Sequence, residues 1–444
     1  MNKDAPDVKP IGIWSAVAIG VGGMIGAGIF SILGIATTIT GNLIYISFLI
    51  GGAIALLSTY SYAKLGTKYP SAGGPVEFLL RGFGDGILSG GFTFLLWIGY
   101  IFALSVYAEA FGSYAATFLP NHSGLSVTIL AALIILIFTS INFLGPKIVG
   151  RSEIVIVGIK VGILITFAVL GLFFIKPSLL IISHFPPVTD LLTASALLFL
   201  GYQGFGLITN TAEDIKNPEK NISRALYLAV VLVIIIYVLV SVVVVGNLTI
   251  PEIANTADYA LAAAAEPFAG AIGFTIMAIA AIISTSSAIN ATLYGGANVS
   301  YLMAKKGELP KFFNRTTWRD SKEGLIITSA LVILFTIFLN LSSVALMGSA
   351  LFLIIYTGVN FAHLKVHKET RANKYIIWLA ILGCLFALTV LIYYQIYNSP
   401  LNIELLVTVV AATFSIEFIY RKYTKRALKK RNISLNLSKN YSKI

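Results

Sequence analysis

Charged residues are scarce in this chain of 444 residues, and cysteine is almost absent. Asp, Glu, Lys and Arg make up 11% of the sequence, whereas 57% of it is hydrophobic. Soluble domains carry about 25% charged residues, so a soluble globular fold is excluded. The single cysteine, Cys384, excludes an intrachain disulfide and any cysteine-rich metal site.

Enzyme motifs are missing as well. The sequence has no HExxH motif, no paired intramembrane aspartates and no Gly-x-Ser-x-Gly elbow. His363 and His367 have the i, i+4 spacing that suits a metal, but they border a lysine-rich loop and lack a carboxylate partner. We therefore interpret both as solvated and expect no enzyme activity, no metal and no other cofactor.

Apolar runs of about twenty residues recur along the whole chain, which is typical of a polytopic helical membrane protein. Transmembrane strands would need alternating polar positions, and the sequence shows none. We predict an all-α integral membrane protein with twelve spans, at residues 12–36, 43–66, 86–118, 125–144, 151–175, 190–212, 223–247, 268–303, 323–340, 343–364, 374–397 and 402–421.

The basic residues lie almost entirely on one side of these spans. Of the 31 Lys and Arg, only Lys160, within a span, and Lys176 depart from that side, and the opposite loops 119–124, 248–267, 341–342 and 398–401 contain none. This asymmetry predicts a cell-membrane protein with both termini in the cytoplasm. The basic tail then serves as a cytoplasmic anchor, and no nucleic acid is expected. Because the first ten residues hold two Lys and two Asp, we expect no cleaved signal peptide.

Two glycine-rich interruptions suggest that the chain has two related halves. If spans 6–10 repeat the fold of spans 1–5, the second copy must be inverted in the membrane, because five is an odd number of crossings. Inverted repeats of this kind build transporters whose binding sites lie at broken helices. Span 1 carries five glycines within residues 20–28, and span 6 carries Gly201, Gly204 and Gly206. We predict an N-terminus at 1–11, a first repeat at 12–175, a second at 176–364, two further helices at 365–421 and a basic tail at 422–444.

A broken helix exposes backbone groups that must line a cavity, because lipid cannot satisfy them. Half-helix N-termini attract a carboxylate and free carbonyls attract an ammonium, and an α-amino acid carries both groups. The alternative is that these glycines only allow close helix packing, since Gly22 and Gly26 have GxxxG spacing.

Lys160 lies alone in the apolar run 154–175, at a depth near the middle of the bilayer. A desolvated lysine has a lowered pKa and can exchange a proton near neutral pH, so Lys160 is either a proton switch or a permanently charged strut. Residues 284–287 (Ser-Thr-Ser-Ser) form a hydroxyl run in span 8. A sodium site built from these hydroxyls is the rival hypothesis, because two cations cannot share this position.

Four motifs resemble those of the amino acid–polyamine–organocation (APC) transporter superfamily. They are the glycine-rich residues 22–30, the Gly-Gly loop at 71–75, the acidic Asn-Pro segment at 213–218 followed by Arg224, and the Gly-x-Leu-Pro loop at 304–310. Together they cover most of spans 1–8. The resemblance implies a LeuT-type fold with discontinuous helices 1 and 6, two additional C-terminal helices, and a lid-like segment at 250–266.

The resemblance also implies roles for individual residues. Lys160 matches a lysine that a proton-coupled member of the superfamily has at the position where sodium-coupled relatives bind a sodium ion. By this resemblance, its partners would be carbonyls near Gly20 and Gly22 and the hydroxyl of Ser284. Aromatic residues of span 6 would cover the substrate. Of these we favour Tyr202, whose hydroxyl suits a wet cavity edge.

The sequence thus predicts a proton-coupled, sodium-independent transporter of amino acids, with neutral ones favoured, that works by alternating access. Exchange, sodium symport, and a sensor or channel with a transporter-like fold stay open as alternatives. The expected partners are an amino-acid substrate and the lipid bilayer. The predicted substrate site comprises Ile19, Val21, Gly23, Met24, Ile25, Gly26, Ala27, Gly28, Phe199, Tyr202 and Phe205, with Glu109 and Thr285 as further candidates.

Overall fold

A computed structural model describes residues 11–26, 28–71, 73–120, 123–143, 153–181, 185–305 and 323–424. Within these ranges the chain folds almost wholly into helices, and its one bridge joins Ile11 to Ile215. The helices are α1 (Ile13–Met24), α2 (Gly28–Thr40), α3 (Ile44–Lys68), α4 (Pro75–Phe83), α5 (Ile87–Ala116), α6 (Gly124–Phe143), α7 (Glu153–Phe173), α8 (Val188–Leu198), α9 (Gly206–Thr209), α10 (Pro218–Asn247), α11 (Ile250–Asn255), α12 (Ala260–Lys305), α13 (Glu323–Phe338), α14 (Leu341–Val366), α15 (Lys374–Asn398) and α16 (Pro400–Tyr423).

Local sequence explains several of these boundaries. Proline occupies the first turn of α4, α10, α11 and α16, where its missing N–H costs no hydrogen bond. The Asn340 side chain accepts a hydrogen bond from the Ser343 N–H and so caps α14. Thr249 and Glu252 form a reciprocal capping box at the start of α11. These caps satisfy the amide groups that a helix start leaves unpaired.

Helices occupy the described part of every stretch that the sequence predicted as a span. Within the described ranges, ten helical stretches are long and apolar enough to cross a membrane, and the first of them, 13–68, runs through α1, α2 and α3. A shorter apolar helix covers Gly324–Phe338. The chain is therefore a multi-pass membrane protein. The count of twelve crossings, the inverted repeat and the cytoplasmic placement of both termini stay predictions.

The two glycine-rich stretches are interrupted as predicted. After Met24 the α1 geometry ends, and helix resumes at Gly28 as α2. Between α8 and α9 the chain forms a 3₁₀ segment, Phe199–Phe205, rather than α-helix. A third interruption lies within α12, where Gly270 adopts a φ of 60° three residues after Pro267. This break separates the short lid-like helices from the long apolar part of α12.

Burial divides the helices into a centre and a periphery. The apolar windows of α5, α14 and the α8–α9 stretch are mostly buried by other helices, whereas less than half of each window in α6, α15 and α16 is buried. Peripheral side chains such as Leu125 and Phe173 are exposed and apolar, as expected where lipid replaces water. The interrupted segments lie in the centre, where other helices can satisfy their backbone groups.

The interpretation of His363 as a solvated residue is wrong. Its side chain is fully buried, and Nε2 lies 2.9 Å from the Thr370 hydroxyl. Helix α14 continues past His363 to Val366, and Tyr60 of α3 packs against the imidazole ring. His367 is only half-buried, and its Nδ1 lies 2.7 Å from the Leu364 carbonyl.

Candidate functional site

The two interruptions pack directly against each other in the centre of the protein. A Cβ added to Gly201 would lie 2.9 Å from Gly28 Cα, and one added to Gly204 would lie 2.5 Å from Met24 N. Only glycine lets two backbones approach this closely. Close packing and helix interruption therefore occur together at these glycines, and the substrate site beside them stays a prediction.

Lys160 reaches this centre from α7. Its side chain is fully buried, and Nζ donates a hydrogen bond to the Gly22 carbonyl over 2.9 Å. Gly22 lies in the last turn of α1, just before the interruption. The contact with Gly22 agrees with the sequence hypothesis. Gly20, the other proposed carbonyl partner, packs against Ile208 of α9 and Ala229 of α10.

Two hydroxyls of the run in α12, those of Ser284 and Thr285, donate hydrogen bonds within the protein. Ser284 is buried and its hydroxyl donates to the Ile25 carbonyl in the first interruption. Thr285 instead donates to the carbonyls of Ala281 and Ile282 in its own helix. Lys160 and Ser284 thus bind neighbouring carbonyls of the same break, from α7 and α12 respectively. A sodium ion at this place would compete with both donors.

Tyr237 of α10 links the two interruptions, and the sequence reasoning missed it. Its hydroxyl lies 2.6 Å from the Met24 carbonyl and 3.2 Å from the Gly201 carbonyl, and it donates toward both. The phenol is fully buried. The available signal was that Tyr237 is one of only two polar side chains, with Ser241, within the otherwise aliphatic run of residues 228–245. Such a residue inside a membrane needs a polar partner.

Helix α14 supplies two further donors to the second interruption. The Ser349 hydroxyl donates to the Ala196 carbonyl, and the Tyr356 hydroxyl donates to the Gln203 carbonyl over 2.7 Å. Ser349 and Tyr356 are seven residues apart and therefore share one face of α14. Both interruptions are thus held by side chains from surrounding helices, in place of the missing helical hydrogen bonds.

The expectation that Tyr202 faces a wet cavity edge is wrong for this structure. Tyr202 is fully buried, and its hydroxyl donates to the Phe48 carbonyl of α3 over 2.9 Å. Its neighbours Phe199 and Phe205 pack instead on Tyr356 of α14, with ring centroids 5.3 Å away in each case. A 3₁₀ helix has about three residues per turn, so Phe199, Tyr202 and Phe205 lie one turn apart along this segment. Their contacts nevertheless differ.

Polar groups of α5 complete the surroundings of the second interruption. The Gln203 amide donates to the Tyr107 hydroxyl over 3.0 Å, and both side chains are nearly but not wholly buried. Glu109, two residues after Tyr107 and therefore on the opposite face of α5, is 6% exposed and close enough to Asp258 of the lid-like segment for their charges to interact. The Gln203–Tyr107 pair was not among the residues proposed from the sequence.

The other predicted substrate residues line the first interruption. Val21, Met24, Ile25, Gly26 and Gly28 are buried, whereas Ile19 and Gly23 are partly exposed. Gly26 packs against Ala288 of α12, and Gly23 packs against Leu207 and Gly204. Ala27 lies outside the described residues. The start of α2 at Gly28 provides N–H groups without intrahelical partners, which favour an anion.

The sequence is similar to those of known membrane transport proteins. A family model described as amino acid permease matches residues 11–415. An uncharacterized protein of Methanocaldococcus jannaschii is 41% identical over 425 residues, which cover 94% of this chain and 97% of that protein. The inner membrane transport protein YbaT of Escherichia coli is 36% identical over 386 residues, or 86% of this chain and 89% of YbaT. The methylthioribose transporter of Bacillus subtilis is 26% identical over 402 residues, or 84% of this chain and 85% of that protein.

Proposed function

The chain belongs to the amino acid permease family of the APC superfamily, and we propose that it carries neutral amino acids across the cell membrane together with protons and without sodium. Family membership supports amino-acid transport and points to a transporter rather than an enzyme. The coupling ion is the finer part of the proposal. It depends on one observation, the hydrogen bond from Lys160 to the Gly22 carbonyl at the end of α1.

A charged Lys160 holds α7 against the interrupted helix. A hydrogen bond with an ionised donor stabilises a structure by about 1.5–3 kcal/mol, and a neutral amine loses most of that contribution. A difference of about 2 kcal/mol changes the ratio of two conformations by roughly 30-fold. Protonation of this one amine can therefore favour one state of the helix bundle, and its deprotonation can release α1 from α7.

The position of Lys160 also argues against sodium coupling. A lysine ammonium and a sodium ion both require oxygen ligands, and each carries one positive charge. In this chain Lys160 and Ser284 already donate to the carbonyls of Gly22 and Ile25, and Thr285 is bonded within its own helix. A sodium ion there would face an ammonium at close range.

The substrate would lie beside the two interruptions. Its carboxylate would meet the N–H groups between Met24 and the start of α2, where the helix dipole favours an anion. Its ammonium would meet carbonyls at the ends of α1 and α8. Acidic side chains do not line this part of the described chain, apart from Glu109 on α5, which faces the lid-like segment instead. This arrangement favours neutral over cationic amino acids.

Uptake into proteoliposomes tests the proposal. Purified protein would be reconstituted, and uptake of radiolabelled neutral amino acids would be measured with an inward proton gradient, with an inward sodium gradient and with neither. We expect the proton gradient alone to stimulate uptake. Lys160→Ala should abolish that stimulation, whereas Lys176→Ala, at an exposed lysine beyond the end of the same helix, should keep it.

Two results would contradict the coupling. One is uptake that requires sodium, and the other is an equal response to the proton gradient in native protein and Lys160→Ala. Uptake that requires preloaded amino acid inside the vesicles, with no response to either gradient, would identify an exchanger. In each case amino-acid transport itself would stand, because it is supported by the family and not by Lys160.

A further inference from the structure

An apolar groove lies between the start of α5 and the helices α14 and α15, away from the interrupted segments. Its volume is about 350 Å³, and its surface is nearly all apolar, with Phe92 and Ile354 along its floor. Leu88 and Leu385 line it as well and are 50% and 38% exposed, so the groove opens sideways. In a multi-pass membrane protein, a sideways opening of this kind faces lipid.

One charged side chain stands at the end of this groove. Lys365, near the C-terminus of α14, lines the groove and places Nζ 4.5 Å from the centre of the Phe83 ring. The residue is exposed, so its ammonium lies at the mouth rather than in the floor. A cation above an apolar channel matches a molecule that has an anionic head and a hydrocarbon tail.

The depth of the groove matches one leaflet of a bilayer. Lys365 and Ile354 are eleven residues apart on α14, which corresponds to about 16 Å along the helix axis. Half of a hydrocarbon core that is roughly 30 Å thick is about 15 Å. A lipid with its head group at Lys365 would therefore place an acyl chain beside Ile354 at the depth its own leaflet requires.

The surrounding charge favours an anionic head group. Lys365, Lys368, Arg371 and Lys374 follow one another across the end of α14 and the start of α15, against the single carboxylate Glu369. Basic pockets between membrane helices on the cytoplasmic side are typical sites for anionic phospholipids, and this loop is on the predicted cytoplasmic side. A neutral lipid would use the apolar floor but not this charge.

We infer that this groove is a binding site for one anionic phospholipid, whose acyl chain lies along Phe92, Ile354 and Leu388 and whose phosphate contacts Lys365. The site is separate from Lys160 and from both helix interruptions. It would tie α14 and α15 to the start of α5 through a lipid rather than through side-chain contacts alone.

Native mass spectrometry of the purified full-length protein tests this inference. Lipid retention would be measured with phosphatidylglycerol and with phosphatidylcholine of identical acyl chains. We expect the native protein to retain phosphatidylglycerol about fivefold more strongly, the effect of one lysine at a membrane surface. Lys365→Gln should remove this preference, whereas Lys368→Gln, at an exposed lysine three residues further on that does not line the groove, should keep it.

A second pair of variants tests the groove rather than the charge. Leu385→Trp adds a ring to the groove wall, whereas Leu382→Trp adds one at an exposed position that does not line the groove. We expect only Leu385→Trp to reduce phosphatidylglycerol retention. Equal retention of the two lipids by the native protein would overturn the inference and leave an apolar surface that detergent or any lipid covers. Equal losses in Lys365→Gln and Lys368→Gln would overturn it too, because attraction would then be general to the loop.

Discussion

Gly204→Ala probes the contact between the two helix interruptions more directly than any other single change. The added Cβ would lie 2.5 Å from Met24 N and closer still to the Gly23 carbonyl carbon. Ordinary contacts between such atoms are about 3.5 Å, so the two segments would have to separate by roughly 1 Å. Both contacts are with backbone, and no side-chain rotation can relieve them.

The expected effect on transport is large. A misplacement of about 1 Å at a site that must hold its ligand in register costs roughly 100-fold in rate, and overpacking a core costs about 1–3 kcal/mol of stability. We therefore expect initial uptake into proteoliposomes to fall by about two orders of magnitude, together with a lower temperature of thermal inactivation in detergent.

The matched control is Gly158→Ala in α7. A Cβ at Gly158 would meet nothing within 4 Å, and the helical backbone there accepts alanine. Uptake and thermal inactivation should stay at native values, because alanine is the better helix former. Native uptake in Gly204→Ala, measured at equal amounts of reconstituted protein, would refute the close approach of the two interruptions.

Three further predictions concern other parts of the chain. Tyr237→Phe should destabilise the protein by about 1–3 kcal/mol and slow uptake, because both interruptions lose a buried donor; unchanged thermal inactivation and uptake would contradict this. Arg421→Met should lower the free energy of unfolding by about 3–5 kcal/mol, because it leaves the buried carboxylate of Glu417 without its ion pair. The double variant Arg421→Met with Glu417→Leu should recover most of that loss when thermal inactivation is measured in the same way. The Thr249 N–H and hydroxyl hold the pKa of Glu252 below its ordinary value. Its stabilisation of α11 is therefore complete above about pH 4.3 and is lost as pH falls through the lowered value. The protection of residues 250–255 from hydrogen exchange, expressed relative to the intrinsic exchange rate at each pH, should therefore fall on acidification in native protein but not in Glu252→Gln.

Much of the architecture was predictable because hydropathy and glycine content are local properties. The apolar runs predicted every helix that could cross a membrane, since length and composition alone decide that suitability. The clusters around Gly23 and Gly204 predicted both central interruptions, because glycine is a poor helix former and removes side-chain bulk. Lys160 could be singled out for a similar reason, as a lone charge within a long apolar run.

Only the tertiary structure decided which groups satisfy the interrupted backbone. Tyr237 lies 213 residues after Met24, and no local pattern connects them. Likewise, Tyr202 faces α3 and His363 is covered by α3, because the packing of distant helices determines what each side chain meets. Hydrophobicity specifies that a segment is buried in the membrane without specifying its neighbours. Hydrogen bonds are short and directional, so their partners are set by where the folded helices cross.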